Sequence, residues 1–129
     1  MTNIETMQRI ASNLKAKYVA VEEMQVCTGN MKRALEANDE NTFSKLLDSR
    51  KNLMDAVDRI TAENVGLARE LPGDTREKIQ YILSGKSVGV AQGNPLETAI
   101  AQTQSRISLL MKKLINDNLA VDKLLRTKK

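Results

Sequence analysis

The sequence has no histidine, no tryptophan and a single cysteine, Cys27. Each absence closes a class of chemistry. Ordinary zinc sites need several Cys or His ligands, and a di-iron helical bundle needs Glu-x-x-His pairs. Ser/His and Cys/His nucleophile pairs fail for the same reason. One cysteine makes no internal disulfide, which suits a reducing compartment. Cys27 stands among Met24, Val26 and Met31 and reads as a small buried hydrophobe, not a reactive thiol. No run of about 18 uninterrupted apolar residues occurs, so no segment is expected to span a membrane. Ile4, Glu5 and Arg9 interrupt any apolar run at the start, so no secretory leader is expected. The expected location is cytoplasmic.

A phosphate-binding loop is also excluded. Ser84-Gly85-Lys86-Ser87 has the form of its last residues, but Gln80 stands where the first glycine belongs and Gly89 follows. That loop also needs a strand before it, and the preceding segment reads as helical. Carboxylates such as Glu22, Glu23, Asp48, Asp55 and Asp58 fall where solvated helix faces lie. No catalytic residue, cofactor or metal is expected, and the chain does not read as an enzyme.

What is present is helical. Aromatics are only 2%, namely Tyr18, Phe43 and Tyr81. Ala, Leu, Ile, Met, Lys, Glu and Asn dominate, the composition of long helices with aliphatic cores. The chain has 129 residues, enough for one domain with a modest core. The expected fold is all-α: an elongated antiparallel bundle or coiled coil of three long helices plus a short one.

Residues 1–71 read as a helical hairpin. Thr2 with Glu5 is a capping-box pattern. Met7, Ile10, Leu14, Tyr18, Val21, Met24, Thr28, Met31 and Leu35 then keep a three-four rhythm to about residue 37. Gly29 lies inside it and marks a slight bend or a close contact. The cluster Asn38-Asp39-Glu40-Asn41-Thr42 ends one helix and starts the next. The second helix carries Phe43, Leu46/Leu47, Leu53/Met54, Val57, Ile60, Leu67 and Leu71, and Pro72-Gly73 stops it.

Residues 72–94 read as a short helix and a flexible linker. Asp74 or Thr75 would cap the helix, and Gly85, Gly89 and Gly93 follow it. Asn94-Pro95-Leu96-Glu97 opens the last helix with an N-cap, Pro at the first position and Glu at the third.

Residues 95–129 form an amphipathic helix with more apolar surface than one seam needs. The seam is Leu96, Ile100, Ile107, Leu110, Leu114, Val121 and Leu124/Leu125, with Thr103 and Asn118 in its gaps. At about 100° per residue, Leu109, Ile115 and Leu119 fall away from that stripe. A second greasy face calls for a second partner.

Charge is uneven. Residues 1–71 hold ten Lys/Arg and eleven Asp/Glu, whereas residues 72–129 hold ten and five. Lys112, Lys113, Lys123, Arg126, Lys128 and Lys129 make the end basic. No aromatic lies among them to stack bases, and no compact helix-turn-helix pattern occurs. The first reading is therefore a solvated helix whose cations suit its C-terminus.

The stretch Ala34-Leu35-Glu36-Ala37-Asn38-Asp39-Glu40-Asn41-Thr42-Phe43, continuing through Leu46-Leu47 to Arg50-Lys51-Asn52-Leu53, resembles the FlgN family of flagellar export chaperones, and less closely the FliT type. Leu114-Ile115-Asn116-Asp117-Asn118-Leu119-Ala120-Val121-Asp122-Lys123-Leu124-Leu125 is similar too. The helix order agrees over most of the chain. The resemblance implies a small cytoplasmic chaperone that keeps hook-associated, hook-filament junction proteins unassembled and passes them to type III export. It implies that the terminal helix binds the client.

The candidate partner-binding residues are Ile107, Leu110, Met111, Leu114, Ile115, Asn118, Leu119, Val121 and Leu125. For the seam members an internal core role comes first; for Ile115 and Leu119 client contact comes first. The expected partners are terminal helices of flagellar hook-associated proteins, with export-apparatus components and a homodimer left open. Two other readings stay open: a scaffold coiled coil that closes its seam by self-association, and a basic helical protein with weak electrostatic affinity for nucleic acid.

Overall fold

A computed structural model describes residues 1–86 and 94–128. Among the described residues there are four helices: α1 (Asn3–Glu36), α2 (Glu40–Arg69), α3 (Gly73–Leu83) and α4 (Pro95–Thr127). The chain is an all-α bundle. At about 1.5 Å per residue, the three long helices each extend for some 45–50 Å. Among the described residues, no helix is long and apolar enough to cross a membrane.

Local chemistry sets the ends of each element. Thr2 accepts from the Glu5 amide while the Glu5 carboxylate accepts from the Thr2 amide, closing the capping box. α1 ends in a Schellman turn. Asn38 adopts φ 56°, the Asp39 amide donates to the Ala34 carbonyl, and the Asn38 amide donates to Leu35. Asn tolerates this left-handed conformation better than most residues. Asp39 then caps α2 by accepting from the Thr42 amide at 3.1 Å. Three residues, 37–39, thus reverse the chain, so α1 and α2 are antiparallel neighbours.

Two local expectations are corrected, the second only as to a close contact. α3 starts at Gly73, behind Pro72 and without a side-chain cap, and not behind Asp74 or Thr75. Pro72 holds an extended backbone that already sets the helix entry. Gly29 makes no close contact: a Cβ there would meet no heavy atom within 4 Å, and α1 runs on through it. Gly85, at φ 77°, follows the C-cap of α3, as a C-terminal glycine should. The expected linker at 84–93 falls mostly on residues 87–93, outside the described residues.

Side-chain pairs fix the topology. Arg9 meets Glu63, 54 positions on, and Cys27 meets Leu46, 19 positions on. That shrinking separation marks an antiparallel pair. Between α1 and α4 it stays nearly constant: Gln25 meets Asp117, 92 positions on, and Thr28 meets Asn118, 90 positions on. α4 therefore runs parallel to α1 and antiparallel to α2. α3 crosses the base and supplies Ile79 and Ile82 to the core there.

The core is divided along the rod. The base cluster joins Ile10, Leu14, Ala68, Leu71, Ile79, Ile100 and Ile107. A middle cluster holds Val21, Met24, Val57 and Leu114. The tip cluster holds Cys27, Met31, Leu35 and Val121, with Phe43 and Leu125 packed against it. Polar side chains interrupt it: Asn13 donates to Asn64 at 2.9 Å, and Thr28 and Arg50 both donate to Asn118. Such buried polar groups cost stability but specify register. The exposed Arg9–Glu63 ion pair at 2.9 Å contributes at most about 1 kcal/mol.

Candidate functional site

α1 packs closely on both long neighbours, but α2 and α4 stand apart. No Cα of α2 comes within 8 Å of a Cα of α4. Side chains span this seam. At the tip, Arg50 donates to Asn118 across it at 2.7 Å. Toward the base it encloses a cavity of about 30 Å³ lined by Lys17, Thr61, Asn64, Leu83 and Gln104, among others. Burial lowers the Lys17 pKa there, against the opposing pull of the Asp58 carboxylate. Among the described residues, Asn64 Nδ2 and Gln104 Oε1 are buried with no hydrogen-bond partner.

The nine candidate residues divide by their position around α4. Ile107, Leu114 and Val121 are 1–2% exposed and belong to the core between helices. Leu110, Met111, Asn118 and Leu125 are half-buried at its edges. Ile115 and Leu119 are 55% and 61% exposed. Leu109 is exposed too, about 120° from Ile115 and about 80° from Leu119 around α4 at helical pitch.

The flank on which Ile115 and Leu119 lie follows from their neighbours. Gln25 of α1 donates to Asp117, whereas Arg50 of α2 donates to Asn118. Going around α4 from Asp117 through Leu114 to Asn118 passes from α1 to α2. Ile115 comes next, three residues before Asn118, and Leu119 one step further toward solvent. The two are neighbours at i, i+4.

α2 adds residues that the sequence did not single out. Its apolar pairs Leu46/Leu47 and Leu53/Met54 each put one member inside and one outside. Leu46 and Leu53 are half-buried against the core, while Leu47 and Met54 are 38% and 46% exposed. The Leu46 carbonyl accepts from Cys27 of α1 at 3.2 Å, so Leu46 borders α1. Leu47 and Met54, three before and four after Arg50, lie on the other side of Arg50, toward the seam with α4. The doubled residues at seven-residue spacing carried that signal, since a single seam accepts only one of each pair.

Cys27 is buried, and burial pushes its thiol pKa up, opposed by the nearby Arg50. Among the described residues, no group of three or more His, Cys, Asp or Glu side chains is placed to hold a metal ion. A shallow groove of about 460 Å³ lies on the outer side of α1, lined by Val19, Glu22, Glu23 and Val26 with Leu46 of α2. A pocket of about 280 Å³ at the tip is lined by Leu35, Asp39, Phe43, Leu125 and Lys128. Comparison with protein-family models, with curated proteins and with solved structures finds no match for this chain.

Proposed function

We propose that this chain is a helix-binding chaperone of the flagellar export type, acting in the cytoplasm by binding without turnover. Its clients would be the terminal helices of hook-associated proteins, held unassembled and passed to type III export. The observation that carries the reading is the Ile115–Leu119 pair, more than half exposed on a helix whose other face is already seated. The similarity of residues 34–53 and 114–125 to the FlgN family supplies the client class.

A filament subunit that assembles through terminal helices must have those apolar faces covered beforehand. An apolar helical surface does this as a helix-in-groove contact. Met54 and Met111 suit such a role, because an unbranched thioether side chain repacks around imperfect partners.

Magnitudes set the extent of the contact. Covering Ile115 and Leu119 is worth about 1–2 kcal/mol each, since each is already partly buried. Micromolar affinity needs about 8 kcal/mol net, after ordering costs. The client must therefore also cover Leu47, Met54 and Met111 across the α2–α4 seam.

The test is titration of the intact protein with peptides spanning hook-associated terminal helices, read by calorimetry. Saturable one-to-one binding is expected. A dimer that persists on dilution and binds no such peptide would replace this reading with self-association. Affinity for nucleic acid that falls steeply with salt, with none for peptides, would replace it with the electrostatic one.

A further inference from the structure

Toward its base, the α2–α4 seam holds an unmatched pair of buried amides. Asn64 of α2 is 2% exposed and Gln104 of α4 is 8% exposed. Each amide is pinned at one end. Asn13 of α1 donates to Asn64 Oδ1 at 2.9 Å, which leaves Asn64 Nδ2 over as a donor. Gln104 Nε2 donates to Ser108 at 3.3 Å, which leaves Gln104 Oε1 over as an acceptor. Among the described residues, neither leftover atom has a hydrogen-bond partner. A buried polar atom in that condition costs the fold its lost hydration. Both residues line one cavity of about 30 Å³, together with Lys17 and Thr61.

We propose that this cavity is a binding site for an ordered water molecule that bridges α2 to α4, accepting from Asn64 Nδ2 and donating to Gln104 Oε1. The size agrees. About 10–15 Å³ of such space suffices for one water, so about 30 Å³ admits one or two. The chemistry agrees as well, because a water both donates and accepts and takes two to four polar partners. Thr61 Oγ1 gives its proton to the Val57 carbonyl at 2.8 Å, so it keeps lone pairs for the water's second hydrogen, and Lys17 brings a further donor. A chloride ion would leave Gln104 Oε1 unmatched. A metal cation would be opposed by the Asn64 N–H group. Leu14, Val65 and Leu83 supply apolar lining and no competing polar side chain. Arg50 ties α2 to α4 directly at Asn118. The water ties the same two helices again toward the base, with a bond nearly as favourable as a direct one. The site is independent of which partner the chain binds.

The experiment is water-selective NOE and ROE spectroscopy on the full chain. The Asn64 side-chain amide protons should show a water cross-peak of the sign that marks a bound, slowly exchanging molecule. Gln104→Leu should abolish that cross-peak while leaving the helical circular dichroism unchanged. A crystal structure of the parent chain needs no variant and gives the second readout, with density for a water within hydrogen-bond distance of Asn64 Nδ2 and Gln104 Oε1. No such cross-peak in the parent, or one that survives Gln104→Leu unchanged, overturns the bridge. So does a crystal in which the two amides bond each other directly, residues 87–93 supply their partner, or a chloride or metal ion takes the site.

Discussion

Arg50 of α2 donates a 2.7 Å hydrogen bond to Asn118 of α4, two helices with no pair of Cα atoms within 8 Å. Asn118 also takes the Thr28 hydroxyl of α1 at 3.4 Å. One amide oxygen therefore ties three helices at one level of the rod. A charged donor makes the Arg50 bond the stronger one.

Arg50→Ala is expected to destabilise the fold by about 1–2 kcal/mol, leaving Asn118 with only its longer bond. Replacing both partners with leucine should cost less than the sum of the single changes, because no half-satisfied polar group remains. A double-mutant cycle by urea unfolding measures this. Additive single effects would mean that Arg50 and Asn118 are not coupled.

Leu114 and Leu119 separate core from surface on one helix. Leu114 is 2% exposed and Leu119 61%. Leu114→Asp should cost more than about 3 kcal/mol, since it buries an unpaired carboxylate. Leu119→Asp should stay within about 0.5 kcal/mol while weakening peptide binding by about tenfold or more. Thermal unfolding checks both. Equal losses would place Leu119 in the core.

Gly29→Ala should stabilise α1. A Cβ there meets nothing within 4 Å and the backbone is helical. Alanine then gains about 0.5–1 kcal/mol over glycine. A lower melting temperature for this variant would show that the glycine has a packing role.

Acid should loosen the helix starts first. The Thr42 side chain and amide, bonded to Asp39, hold its carboxyl pKa below the ordinary value, and Thr2 does the same to Glu5. Folded pKa values below the unfolded ones mean stability that is present above about pH 4 and lost as pH falls through the folded values. Asp39→Asn keeps a cap acceptor but removes this titration, so its stability should fall less steeply with acid. An acid limb identical to the parent's would contradict the assignment.

Much of this architecture was legible before any coordinates. The three-four rhythm gave the long helices, and the caps at Thr2 and Asn94 with the polar cluster at 38–42 gave their starts, because these signals are local and each residue needs only its own turn. The start of α3 was not legible, since Pro72 sets it through backbone geometry and no side-chain cap marks it. The exposure of Ile115 and Leu119 was readable from helical pitch. The part of the face on α2 was not: Leu46 and Leu47 are equivalent until Cys27 of α1, 19 positions away, takes one side of the helix. The open seam is a distance between two elements, and no periodicity within either one encodes it.

The most direct test of the central claim is methyl NMR of the protein during titration with a hook-associated terminal-helix peptide. The Ile115 and Leu119 methyls should shift together with Leu47 and Met54, while the Val19 and Val26 methyls, on the outer side of α1, stay unmoved. Shifts confined to the Val19–Val26 groove, or none at these four residues at saturation, would contradict the claim that this face holds a foreign helix.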